Sequence, residues 1–123
     1  MTDQLPDLEI YIMKANPEAV HSWLASLFKV EIIKSAAGHH HYRCNDMDVF
    51  LNEGAEKNFA SLWFKQNDTT WHTDLELARA AHSALETEIR CSAEGWKEGD
   101  ENAASDNGWI KLNKGQEKSF EWH

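Results

Sequence analysis

Apolar and polar residues alternate near the start of the chain. In Leu8–Met13 (LEIYIM), Ile10 and Ile12 fall on one side and Glu9, Tyr11 and Met13 on the other, which predicts a strand with two unlike faces. The period then changes. Val20, Trp23, Leu24, Leu27 and Phe28 recur at i, i+3, i+4, i+7 and i+8, one apolar stripe on a helix over Pro17–Phe28. Asn16 suits the N-cap, and Pro17 suits the first helical position because its missing N–H needs no partner there. Val30–Ser35 is rich in β formers and ends at Gly38. His39–Cys44 and Met47–Asn52 predict two strands joined at the turn pair Asn45-Asp46. Gly54–Asn58 reads as a loop, and Phe59–Lys65 (FASLWFK) as an interior strand.

Residues 71–77 (WHTDLEL) admit two readings. They alternate as a strand would, but Thr73-x-x-Glu76 is a capping box in front of a helical pattern. Leu75, Ala78, His82 and Leu85 share a face, and residues 74–87 are rich in strong helix formers, so we take the helix. Ile89–Gly95 then predicts a strand and 97–107 a polar, acidic loop. Gly108–Leu112 and Glu117–Trp122 predict a terminal hairpin around Asn113-Lys114-Gly115. The order is β-α-β-β-β twice. We place one module over residues 8–52 and the other over 59–122, within a single domain.

Composition narrows the function. The 123 residues are 41% hydrophobic, which suits a packed globule, and the net charge is −9. That charge argues against nucleic acid, whose recognition needs clustered Lys and Arg, and against an anionic membrane surface. Cys44 and Cys91 are too few for a disulfide framework or a zinc site, and both read as small buried residues. Reduced thiols, no visible signal peptide and no apolar run of ~18 residues lead us to expect a cytoplasmic protein. Six Trp residues stand out.

The element order resembles the vicinal oxygen chelate superfamily of glyoxalases, bleomycin-resistance proteins and extradiol dioxygenases. The resemblance runs from Leu8 to Trp122. It is carried by LEIYIM…NPEAVHSWLASLF, by ARAAHSAL in the second helix and by the closing NKGQEKSFEW. It implies an α+β fold, with two βαβββ modules forming a cup-shaped mixed sheet and helices outside, commonly as a homodimer. In metal-using members, side chains from the first, fourth, fifth and last strands hold a divalent ion. Here Glu9 falls at the first of these positions and Ser61, no metal ligand, at the fifth-strand one. His72 would fill the latter only if 71–77 were a strand. The last position falls on Ser119 by strict register or on Glu121 by local pattern, and Asp48 is the candidate on the fourth strand. The ligand set is incomplete, so no cofactor is expected. The alternative is a divalent metal drawing on Glu9, His72 and Glu121.

Other constellations are weighed on the residues themselves. In a strand, His39 and His41 point one way and His40 the other, so the triple histidine reads as a solvated strand end, with His41 and Arg43 able to line the cup. No Ser-His-Asp order, Gly-rich phosphate loop or HExxH is apparent. Trp23 and Trp122 should pack against helices. Trp63, Trp96 and Trp109 share strand faces with polar residues, where a ligand or a partner could use them. We therefore expect a small-molecule-binding protein resembling bleomycin-resistance-like members. An aromatic or cationic ligand would sit in a Trp-lined acidic cup formed by Glu9, Tyr11, His41, Trp63, Trp96, Trp109 and Glu121. One alternative is a metal-dependent lyase, isomerase or dioxygenase of glyoxalase type. The other is a protein-interaction module without a small ligand.

Overall fold

The computed structural model describes residues 6–92 and 108–120. Their elements are β1 (Leu8–Met13), α1 (Pro17–Leu27), β2 (Val30–Ala36), β3 (His39–Cys44), β4 (Met47–Glu56), β5 (Phe59–Phe64), α2 (Asp74–Leu85), β6 (Ile89–Ser92), β7 (Trp109–Asn113) and β8 (Gln116–Phe120).

Local chemistry explains most of the boundaries. Asn16 Oδ1 accepts the Glu18 and Ala19 amides at 2.9 and 3.4 Å and starts α1. At α2, Thr73 Oγ1 accepts the Glu76 amide at 3.3 Å, while Glu76 Oε1 reaches back to the His72 amide at 3.1 Å. This reciprocal pair settles residues 71–77 as a loop and helix start. In the β7–β8 turn, Lys114 (φ 52°) and Gly115 (φ 78°) are both left-handed, the geometry that matches strand twist and is least strained at glycine. One boundary differs from expectation. β4 does not stop at Asn52 but runs to Glu56, through a register shift against β5 between Asn52 and Glu56.

The strands form one sheet in the order β2-β3-β4-β5-β1-β6-β7-β8, and every pairing is antiparallel. The fold is α+β as expected, but the sheet is not mixed. Short turns join β2 to β5 and β7 to β8, and such turns connect antiparallel neighbours. The run β-α-β-β-β does occur twice in sequence. In space β1 leaves its own run, lying between β5 and β6, and α1 carries the chain from the centre of the sheet to its edge at β2.

Both helices lie on one side. α2 touches β1, β6 and β7, and α1 touches α2 and β2. Beneath them Leu8, Ile10, Leu24, Val49, Leu51, Leu62, Phe64, Leu77, Ile89 and Ile110 are each 0% exposed. Trp23 stacks on Trp71 at 6.0 Å, and Trp71 meets Phe28 and Phe64 edge-on at 6.0 Å each, roofing one end of this core. Among the described residues no helix is long and apolar enough to cross a membrane.

Candidate functional site on the open sheet face

The strand period of two sends every second side chain away from the helices. On β1 these are Glu9, Tyr11 and Met13, all half-buried, while Leu8, Ile10 and Ile12 are buried beneath the helices. Cross-strand register lines up their counterparts. His41 pairs with Phe50, Phe50 with Trp63, and Trp63 with Glu9. Carrying the β1–β6 register on by two residues sets Glu9 level with Ser92, which pairs with Trp109, and Trp109 pairs with Phe120. A single row thus crosses the face with a carboxylate between two tryptophans.

Each half of the row is internally braced. His41 stacks on Phe50 at 4.4 Å, and Phe50 on Trp63 at 5.5 Å. Because these rings face one another, their mutual faces are occupied. What remains open is the ring edges and the outer faces of His41 and Trp63. Trp63 Nε1 donates to Asp7 Oδ2 at 2.9 Å. His41 Nε2 bonds Asp48 Oδ1 at 2.9 Å, and Asp48 is also held by Gln66 and Arg43. The hydrogen bond from His41, then that from Gln66, holds the Asp48 carboxyl below its ordinary range. On the other half, Tyr11 meets Trp109 edge-on at 5.7 Å.

Glu9 has a defined posture. Ser61, only 4% exposed, donates its hydroxyl to Glu9 Oε2 at 2.6 Å, and the Glu9 amide donates to Asp74 Oδ1 at 3.0 Å. Burial, then the negative charges of Glu9 and Glu56, push the Tyr11 phenol up, so it remains a protonated donor beside the carboxylate. One of the cations on this face already sits against aromatic rings. The Arg90 guanidinium lies 4.4 Å from the Phe59 ring centroid and 4.8 Å from that of Phe120, with Glu88 pairing its charge at 2.7 Å.

Of the residues expected to form a binding site, Glu9, Tyr11, His41, Trp63 and Trp109 share this face. Trp96 and Glu121 lie outside the described residues, as does Trp122. The face is not uniformly acidic. Arg43, Arg90, Lys111 and Lys118 share it with Glu9 and Asp48, because alternation places them there. His72 is not on a strand. It precedes the Thr73 cap, so the strand position that would make it a metal ligand does not exist. Among the described residues, no group of three or more His, Cys, Asp or Glu could hold a metal ion. Cys44 and Cys91 are free and buried, and burial pushes their thiols up to about 11 and about 12.

A second cluster, on the opposite side of the sheet, was missed. His40 Nδ1 bonds Ser35 Oγ at 2.8 Å, and His40 Nε2 bonds Glu53 Oε2 at 2.8 Å. The available signal was the parity of the triple histidine, which turns His40 away from His39 and His41. The lengthened β4, which brings Glu53 within reach, left no mark in the pattern.

Comparison with protein-family models, curated proteins and solved structures yields no match. Function therefore rests on the site itself.

Proposed function

We propose that this protein is a binding module for a small organic cation, most naturally one carrying a flat ring, seated on the open sheet face at Glu9. One observation carries the reading: Ser61 holds the Glu9 carboxylate in a row between the half-exposed Trp63 and Trp109. A carboxylate supplies charge, and indole faces attract cations and stack on flat groups. From β5 across β1 and β6 to β7 are three strand spacings, roughly 14 Å, which leaves room for one small molecule between the two indoles. Tyr11 adds a phenol donor. The Phe59–Arg90–Phe120 sandwich is an internal precedent, with the face's own rings embracing a cation. This ligand class agrees with the resemblance to bleomycin-resistance-like proteins without resting on it.

The test is a titration of tryptophan emission with benzyltrimethylammonium, with ammonium chloride at equal ionic strength as control. We expect saturable quenching by the aromatic cation only. Glu9→Gln should weaken binding about tenfold, ~1.4 kcal/mol, and Trp63→Phe should remove most of the signal. No saturable change, or equal affinity in Glu9→Gln, would overturn the reading.

The protein-interaction alternative has one specific observation in its favour. The inner faces of the His41–Phe50–Trp63 stack are taken up by one another, so this half of the row presents a continuous run of ring edges, which suits a broad macromolecular contact.

A further inference from the structure

His40 and His41 are neighbours in sequence but serve opposite sides of the sheet. On the helix side, beside the first turns of α1, His40 links a hydroxyl to a carboxylate. Ser35 Oγ lies 2.8 Å from Nδ1, and Glu53 Oε2 lies 2.8 Å from Nε2. A carboxylate only accepts hydrogen bonds, so the Glu53 contact puts the ring proton on Nε2. In the neutral ring Nδ1 is then a lone pair, and Ser35 donates its hydroxyl to it. That is the polarity a nucleophile, its base and the base's orienting acid require.

The surroundings support the same use. His40 is 12% exposed at its side chain and Glu53 39%, so the base is sheltered while the acid borders water. The His40 ring lies parallel to Tyr42 at 6.2 Å, and Tyr42 packs on His21 of α1 at 5.7 Å, which fixes the imidazole plane. Ser35 and His40 open into a recess of about 310 Å³ that also has Tyr42, His21, Ser22 and Ile32 in its wall. Both flanking strands are irregular here. β2 shifts register between Ile32 and Lys34, and β4 between Asn52 and Glu56, and such irregularities re-aim side chains. Burial and the charge of Glu53 push the Tyr42 phenol up, keeping it a donor.

We propose that Ser35, His40 and Glu53 form a nucleophilic relay that hydrolyses small, activated esters by acyl transfer through Ser35. As Ser35 Oγ bonds to the ester carbonyl carbon, its proton passes to His40 Nδ1. Collapse of the tetrahedral adduct breaks the ester C–O bond, and the leaving alkoxide takes that proton. Water then attacks the acyl-serine and gives one proton to His40 Nδ1. Breaking the acyl–Oγ bond releases the carboxylic acid and returns that proton to Ser35. No oxidant, reductant or metal enters the balance. Ser35 and His40 touch the reacting atoms. Glu53 is a positioning residue, acting through the His40 tautomer.

The full-length chain, a fluorophosphonate probe and p-nitrophenyl acetate test this. We expect one phosphonyl adduct, mapped to Ser35 by peptide mass, together with turnover of the ester. Ser35→Ala should abolish both, and His40→Gln should slow both by at least tenfold. Glu53→Gln should lower kcat with little change in KM, and Glu53→Asp should restore part of the loss. Circular dichroism of each variant separates lost chemistry from lost folding. Absence of labelling, an adduct elsewhere, or ester turnover that survives Ser35→Ala would overturn the proposal. So would a Glu53→Gln effect confined to KM. Turnover that survives only as free-imidazole chemistry at another histidine falls under the Ser35→Ala outcome.

Discussion

The two faces of the sheet are built from the same strands, yet they differ in how they meet their surroundings. On the helix side Leu8, Ile10, Leu62 and Phe64 are 0% exposed and fit closely against α1 and α2. On the other side the next residues along, Glu9, Tyr11 and Trp63, remain half-buried and are tied by hydrogen bonds and ring contacts to neighbours on the same face. The covered face gains its stability by excluding water over apolar area. The open face is organised without being sealed, which is the condition of a surface that can still take a ligand. The contrast is sharpest at Leu62 and Trp63, adjacent in chain and opposite in role.

That pair supplies the largest test. Leu62→Ala leaves a cavity in a close-packed layer and should cost about 3 kcal/mol in urea unfolding. Trp63→Ala removes a larger side chain but only half of it from a protected position, so about 1–2 kcal/mol is expected. If Trp63→Ala cost as much as Leu62→Ala, the open face would be a second core covered by something else, and the ligand-wall reading would fail. A smaller effect comes from the helix layer. Thr73→Ala removes the acceptor for the Glu76 amide and should cost ~1 kcal/mol, visible as a lower urea midpoint with an unchanged slope. A slope that changed would mean that α2 unfolds apart from the sheet.

Much of this division was readable in the chain. The alternation in LEIYIM assigned Glu9, Tyr11 and Met13 to one face, and the i, i+3, i+4 stripe placed Val20 and Leu24 against the sheet. Turn residues located the β3–β4 and β7–β8 hairpins, and a capping box located α2, because these signals are local. Pairing between distant strands has no such signature. Nothing around Leu8 shows that β1 enters between β5 and β6, since an alternating strand fits any slot with one apolar face. The site suffered in the same way. Parity alone marks Trp63 and Trp109, whereas Glu9 is marked by parity together with the first-strand position that the resemblance implies. The Ser61 bond to Glu9 and the Asp48 bond to His41 depend on register, and the Glu53 bond to His40 on a strand that runs on past Asn52.

The smallest expected effect lies at the edge of the open face and separates the two faces by their response to pH. The His41 hydrogen bond, with help from Gln66, keeps the Asp48 carboxyl below its ordinary range in the folded chain. A depressed carboxyl favours folding while it is ionised, so its contribution is complete above the ordinary aspartate value near ~4. It fades as pH falls through the lower, folded value, when the unfolded chain has already taken up the proton. Asp48→Asn lacks this linkage. Its Tm should lie below that of the unaltered protein at pH 6, and the gap should narrow steadily as pH falls below the ordinary aspartate range and the unaltered Asp48 protonates. Leu62→Ala, which removes apolar volume and no charge, should instead hold a Tm deficit that hardly varies over that range. Parallel profiles for Asp48→Asn and the unaltered protein would show that the His41–Asp48 contact contributes nothing to holding that corner of the face, and His41 would then lose its claim to a fixed orientation beside Phe50.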